Sequence, residues 1–233
     1  MRRLILFDID GTILTAHGAA KRAFHRALVE VYGTAGPIDT HDFAGKTDPQ
    51  IARELLRAAG LDDATIDERA ADFWRRYIRH LEPELTGSNG RRPELMPGVV
   101  SLLDALERRT DFAVLGLLTG NIEPGARLKL AAVGVARRFG FGAFGSDHER
   151  RDRLPAIAVR RARAAVGRRF DGPEIVVVGD TPHDVTCVRA LGVRAVAVAT
   201  GRYGDQSLAA AGADVVLPDL SHTDAVLRVL ETV

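Results

Sequence analysis

Five short apolar runs rich in aliphatic residues, with helix-patterned stretches between the later ones, constrain this chain more than any other feature. The runs span residues 4–7, 112–118, 175–178, 195–198 and 214–217, and turn residues or polar groups close each of them. Such runs are short enough to be strands, and being apolar almost throughout they predict strands covered on both faces. Helical periodicity fills residues 99–109, 126–133, 155–166 and 182–191. Strand alternating with helix implies an α/β fold, a Rossmann-like parallel sheet with helices on both faces.

One stretch breaks the alternation. Residues 16–92 carry three helical patterns in succession (19–32, 48–59 and 64–81) and no strand signal, and 83–97, with Gly87-Ser88-Asn89-Gly90, reads as the return to the core. The expected organisation is a core of residues 1–15 and 93–233 with an inserted all-helical cap domain over 16–92. A length of 233 residues suffices for such a core and insert. Phe73, Trp74 and Tyr77 share helical spacing and are expected inside the insert, as its own core.

Composition removes several classes of function. A formal charge of +1 gives no bulk attraction to nucleic acid or to a membrane surface. The apolar run after Met1-Arg2-Arg3 stops at Asp8, too short for a signal-peptide core, and no apolar stretch approaches a membrane span. A single cysteine, Cys187, excludes an internal disulfide framework and fits a reducing cytosol. The chain is expected to be cytoplasmic, a monomer or homodimer, with a small molecule as its partner.

In open parallel sheets ligands bind beyond the carboxyl ends of the strands, so polar residues there come first. The first run ends in Asp8-Ile9-Asp10-Gly11-Thr12, a carboxylate pair in which one member can attack phosphorus and the other can handle a proton. The second ends in Thr119-Gly120-Asn121, offering a hydroxyl and backbone amides to phosphate oxygens. The third ends in Gly179-Asp180-Thr181-Pro182-His183-Asp184, with two further carboxylates at the start of a helix. Each segment alone passes for a turn or a helix cap. Together they are four carboxylates that repel one another unless a cation intervenes, and oxygen ligands of this kind suit magnesium.

In order and spacing, Asp8-x-Asp10-Gly11-Thr12, Leu118-Thr119-Gly120-Asn121 and Val178-Gly179-Asp180-x-x-x-Asp184 resemble motifs one, two and four of the haloacid dehalogenase superfamily. The helical insert resembles the cap of its phosphoglycolate phosphatase and β-phosphoglucomutase subgroup. The resemblance implies that Asp8 is the nucleophile and a magnesium ligand. It implies that Asp10 is the general acid and base, giving its backbone carbonyl to the metal. Thr119 and the Gly120 amide would hold the transferring phosphoryl group, with Asn121 beside them, while Asp180 would ligate magnesium and Asp184 a metal-bound water.

The third motif departs from the family pattern, which places a lysine before the helix preceding motif four. Here that stretch is His148-Glu149-Arg150-Arg151-Asp152-Arg153, without lysine, and Arg151 is the expected replacement, with Arg150 and Arg153 as competitors. Lys129, one of three lysines, stands too close behind motif two to take that place. In the insert, Gly45 and Lys46 lie in a loop opening a helix at Asp48-Pro49, where Lys46 is expected to reach the substrate's leaving group. His17 and His25 carry no such expectation.

Asp10 together with Asp180 and Asp184 favours a magnesium-dependent phosphatase acting through an aspartyl-phosphate on a small phosphate monoester, phosphoglycolate or a sugar phosphate. A phosphomutase of the β-phosphoglucomutase type keeps the same residues and is the alternative. A dehalogenase, which generally lacks the second aspartate, and a non-catalytic phosphate-binding module rank below it.

Overall fold

The computed structural model describes residues 2–87 and 91–233, so the Ser88-Asn89-Gly90 part of the expected connection lies outside the described residues. The chain opens with β1 (Arg3–Phe7) and β2 (Leu14–Thr15) and then runs through α1 (Ala19–Tyr32), α2 (Asp48–Ala58) and α3 (Asp63–Leu85). It returns through β3 (Glu94–Leu95) to α4 (Val99–Glu107), β4 (Ala113–Leu118), α5 (Glu123–Ala132) and β5 (Gly142–Ala143). The remainder is α6 (Leu154–Val166), β6 (Ile175–Gly179), α7 (Pro182–Thr186), β7 (Arg194–Val198), α8 (Asp205–Ala210), β8 (Val215–Leu217) and α9 (Thr223–Thr232).

Six strands form one parallel sheet in the order β5-β4-β1-β6-β7-β8. Successive residues of β1 point to opposite faces, and both faces are covered. Ile5 and Phe7 join one buried cluster, while Leu4 and Leu6 join the other. This is the two-sided burial that the unbroken aliphatic runs predict.

Helices α1 and α3, between β2 and β3, meet around an aromatic centre. Phe24 of α1 meets Phe73 and Tyr77 of α3 edge-on, with ring centroids 5.0 and 5.1 Å apart, and Trp74 lies alongside. The two chain crossings into and out of this helical segment pair with each other: Leu14–Thr15 lies antiparallel to Glu94–Leu95 in a two-stranded ribbon. No helix among the described residues is long and apolar enough to cross a membrane.

Three expectations need correction. β5 has only two residues, Gly142 and Ala143, which carry no aliphatic run to announce them. The helix expected over 182–191 stops at Thr186 and is followed by a separate short turn, Arg189–Leu191. The third helix of the insert does not stop at 81 but continues through Pro83 to Leu85. Its last turn is held by tertiary contacts, since Glu84 is fully buried and receives Arg22 Nε at 2.7 Å and Arg26 Nη1 at 3.3 Å.

Candidate active site

Strand register brings the three sequence segments together. Phe7 is the last residue of β1 and pairs with Leu117 on one side and Val178 on the other. The chain beyond these partners therefore delivers Asp8, Thr119 and Asp180 to one end of three adjacent strands. The Asp8 N–H extends the ladder by donating to Val178 O at 2.9 Å.

α7 begins at this end of the sheet and adds the fourth carboxylate. Thr181 caps the helix by accepting from the Asp184 N–H, and Asp184 Oδ2 accepts from the Thr181 N–H (3.0 Å) and hydroxyl (2.8 Å). This reciprocal cap leaves the other oxygen of Asp184 to accept from Arg151 Nη2. The result is a buried triad: carboxylate oxygens of Asp8, Asp180 and Asp184 all lie within 4.8 Å of one another. Thr12 Oγ1 donates to Asp180 Oδ1 at 3.1 Å. Gly11 at φ 83° lets the chain pass over Asp180, since a Cβ there would fall 2.3 Å from Asp180 Oδ2.

Of the three candidate arginines only Arg151 reaches this cluster. It is 7% exposed, its Nη2 lies 3.2 Å from Asp8 Oδ1, and the same nitrogen donates to Asp184 Oδ1. Arg150 is exposed and pairs with Asp152, and Arg153 is exposed. Burial works against the Arg151 charge, but the Asp184 and Asp8 carboxylates outweigh it and raise its pKa.

Asp10 stands apart from the triad, on the outer side of the loop. Lys129 Nζ donates to both of its oxygens (2.8 and 2.6 Å) and Asn121 Nδ2 donates to Oδ2 at 2.7 Å. Asn121 Nδ2 also donates to Thr119 Oγ1 at 2.9 Å, and Asn121 Oδ1 accepts from Lys129 at 2.6 Å. Lys129 keeps away from Asp8, as the sequence indicated, yet its place beside Asp10 was missed. The omitted signal is directional: helix side chains tilt toward the N-terminus, so a lysine in the second turn of α5 runs back to the strand end where α5 begins.

The helical segment closes over these groups. The Asp48 N–H donates to Gly120 O at 2.7 Å, Ile122 N–H donates to Asp48 Oδ2 at 2.8 Å, and Thr47 Oγ1 donates to Glu149 O at 2.5 Å. A Cβ on Gly120 would meet Lys46 O at 2.1 Å, so only glycine allows α2 to seat this closely. Burial pushes the Asp48 carboxyl up to about 6, against the Lys129 charge and the Ile122 N–H, which hold it down. Between segment and sheet lies a cavity of about 410 Å³ whose lining includes Asp8, Asp10, Gly45, Lys46, Thr119 and Arg151. Lys46 is turned to Glu54 at 2.6 Å and stands near His41 at 3.4 Å.

A family model described as haloacid dehalogenase-like hydrolase matches residues 5–189. The chain belongs to that family. The matched span takes in all three strand-end segments, Arg151 and the whole helical segment. A phosphoglycolate phosphatase of Cupriavidus necator is 30% identical over 227 residues, covering 96% of this chain and 92% of its own. A phosphoglycolate phosphatase of Rhodospirillum rubrum is 28% identical over 231 residues, covering 95% and 89%. Among solved structures, a hydrolase from Pseudomonas syringae superposes with a TM-score of 0.72 at 21% identity, over 100% of this chain and 99% of that one.

The donor set of this hydrolase fits a divalent cation. Asp8 Oδ1 is buried and accepts no hydrogen bond, and among the described residues Arg151 is the one cation paired with the three carboxylates that lie within 4.8 Å of one another. Burial first, and then the charge of Asp184, raises the pKa of both Asp8 and Asp180. Oxygen donors alone, all carboxylates, are the ligands that hard cations take.

Proposed function

We propose that this hydrolase is a magnesium-dependent phosphatase that cleaves a small phosphate monoester through an aspartyl-phosphate on Asp8. The observation that carries the proposal is the pairing of two aspartates with different surroundings at one cavity. Asp8 is buried with the Arg151 guanidinium 3.2 Å from its Oδ1, whereas Asp10 is clasped from behind and open in front. One is placed to bond to phosphorus, the other to pass a proton.

In the first step an Asp8 oxygen forms a bond to phosphorus while the bond from phosphorus to the ester oxygen breaks. The departing alkoxide takes its proton from Asp10. In the second step water attacks phosphorus, gives its proton back to Asp10, and displaces the Asp8 oxygen as inorganic phosphate leaves. Thr119 Oγ1 accepts from Asn121, which leaves its own proton for a phosphoryl oxygen. The Gly120 amide and Arg151 add donors and positive charge on the same side.

Asp8, Asp180 and Asp184 would hold the magnesium ion, with the Asp10 carbonyl. The ion supplies positive charge that lets a carboxylate approach a phosphate dianion. The cavity volume of about 410 Å³ suits a small ester, and its lining includes Lys46, paired with Glu54, and Arg202, paired with Asp42. Phosphoglycolate and short sugar phosphates are of that size, and the relatives from Cupriavidus necator and Rhodospirillum rubrum are phosphoglycolate phosphatases.

We assign residues 16–92 as the cap, moving on the Leu14–Thr15 and Glu94–Leu95 ribbon and seated by Asp48 at Gly120 and Ile122. Closure excludes water from the first step, and reopening releases product.

The direct test is to trap the intermediate. Acid-quenching the enzyme during turnover and digesting it should place the mass of one phosphoryl group on the peptide containing Asp8. A phosphoryl group on another residue, or none while turnover is fast, would defeat the assignment.

A further inference from the structure

Lys129 and Asp48 are buried charged groups in the lining of the cavity to which the two-step reaction gives no task. Lys129 is 2% exposed, whereas the side chain of Asp10 is 43% exposed. All three Nζ protons are used, on Asp10 Oδ1, Asp10 Oδ2 and Asn121 Oδ1, at 2.6–2.8 Å. Asn121 is thereby fixed with its oxygen toward Lys129 and its amide nitrogen toward Asp10 and Thr119. Asp10 is thus held on its inner side while its outer side meets the cavity. A carboxylate this exposed would otherwise sample several rotamers, and its proton must reach one leaving oxygen.

We propose that Lys129 is the positioning residue for Asp10. Asn121, which donates to Asp10 Oδ2 and accepts from the same ammonium, is the second group of this clasp. Burying an ammonium contributes little net stability even when it is paired. Its position under Asp10 is accounted for by geometry instead: the lysine fixes the direction in which the carboxylate faces. Asp48 is seated by its own hydrogen bonds to Gly120 O and from Ile122 N–H, at the turn that also carries Thr119 and Asn121. Seating of α2 and placement of Asp10 therefore meet at one turn, through Asn121 between Gly120 and Ile122. The assignment rests on the phosphatase function proposed above.

The test compares Lys129→Met with the unaltered enzyme on two esters, an alkyl phosphate and p-nitrophenyl phosphate. An alkoxide needs Asp10's proton to depart, whereas nitrophenolate leaves without one. With the alkyl ester, Lys129→Met should lower kcat on the order of 100-fold, the lower end of what a placed acid or base is worth. KM should stay within about threefold, the pattern of an interaction used in the transition state only.

With the aryl ester, rapid mixing should show the first nitrophenolate per site released at close to the normal rate. Slow turnover should follow, because Asp10 must still activate water. On an Asp10→Asn background, adding Lys129→Met should cost no more than about a further twofold, since the lysine then has nothing to place. Thermal midpoints of all variants are measured alongside, and Lys129→Gln, which keeps one donor, should fall between lysine and methionine.

A first aryl turnover slowed as much as alkyl turnover would make Lys129 a structural residue and overturn the proposal. So would additive losses with Asp10→Asn. Unchanged alkyl turnover in Lys129→Met, with the unaltered enzyme active, removes this inference and leaves the phosphatase function standing. An unaltered enzyme that cleaves neither ester removes both.

Discussion

Replacing Arg151 by methionine should expose how far the acidic triad depends on one cation. The guanidinium lies 3.2 Å from Asp8 Oδ1, contacts Asp184 Oδ1 and is 7% exposed. At an effective dielectric of about 20, a pair at that distance is worth roughly 5 kcal/mol before desolvation is counted. Methionine keeps most of the volume, so packing changes little and the charge change dominates. Removing one partner of a buried pair costs about 3–5 kcal/mol, because the other charge remains buried. Urea unfolding in chelator should therefore show a loss of that size for Arg151→Met. With saturating magnesium the loss should shrink to less than about half, since an ion among the carboxylates takes over the charge balance. Arg151→Lys keeps the charge but not the fork that reaches two carboxylates, and should cost only about 1–2 kcal/mol. A loss below about 1 kcal/mol in chelator, or one that magnesium leaves unchanged, would refute the reasoning.

Two further outcomes follow from the buried carboxylates. Burial raises Asp48 from 3.8 to about 6, so its ionisation opposes folding, and the associated stability is full at low pH and lost as pH climbs from about 4 through about 6. Two units at about 1.4 kcal/mol each make Asp48→Asn the more stable protein by up to about 3 kcal/mol at pH 7.5, with the gap closing toward pH 4. A gap that does not vary with pH contradicts this. Asp8 and Asp180 are raised as well, so magnesium must displace protons to bind. Calorimetry in two buffers of different ionisation heat should show about one or more protons released per ion near pH 7 and tighter binding as pH rises. Binding without proton release would mean that the carboxylates are already ionised.

Much of the fold was legible because the sheet is covered on both faces. Runs such as Ile175–Val178 are apolar at every position, and a surface strand cannot be. β5 was not legible, because two small residues pair with Leu117 and Leu118 through backbone alone. The end of α3 was not legible either, since Pro83 is a stop signal by local rules and the Arg22 and Arg26 pairs to Glu84 are tertiary.

At the site, Asp8, Asp10, Thr119, Asp180 and Asp184 could be named because each follows a strand end, where chain order alone predicts convergence. Arg151 could be separated from Arg150 and Arg153 only by burial. Lys129 was lost because proximity in sequence was taken for proximity of side chains: six residues of helix place its Cα roughly 9 Å beyond the start of α5, and the side chain then runs back. Asp48 looked like a helix-opening charge until the cavity showed it buried against Ile122.

The central claim is a magnesium-dependent phosphatase with Asp8 as nucleophile. Its most direct test is inorganic phosphate release from phosphoglycolate, sugar phosphates, nucleotides and pyrophosphate, with magnesium and with chelator, for the unaltered protein beside Asp8→Asn. The account predicts release from a small anionic monoester that needs magnesium and vanishes in Asp8→Asn. Release that survives chelator, or that Asp8→Asn retains, would contradict it.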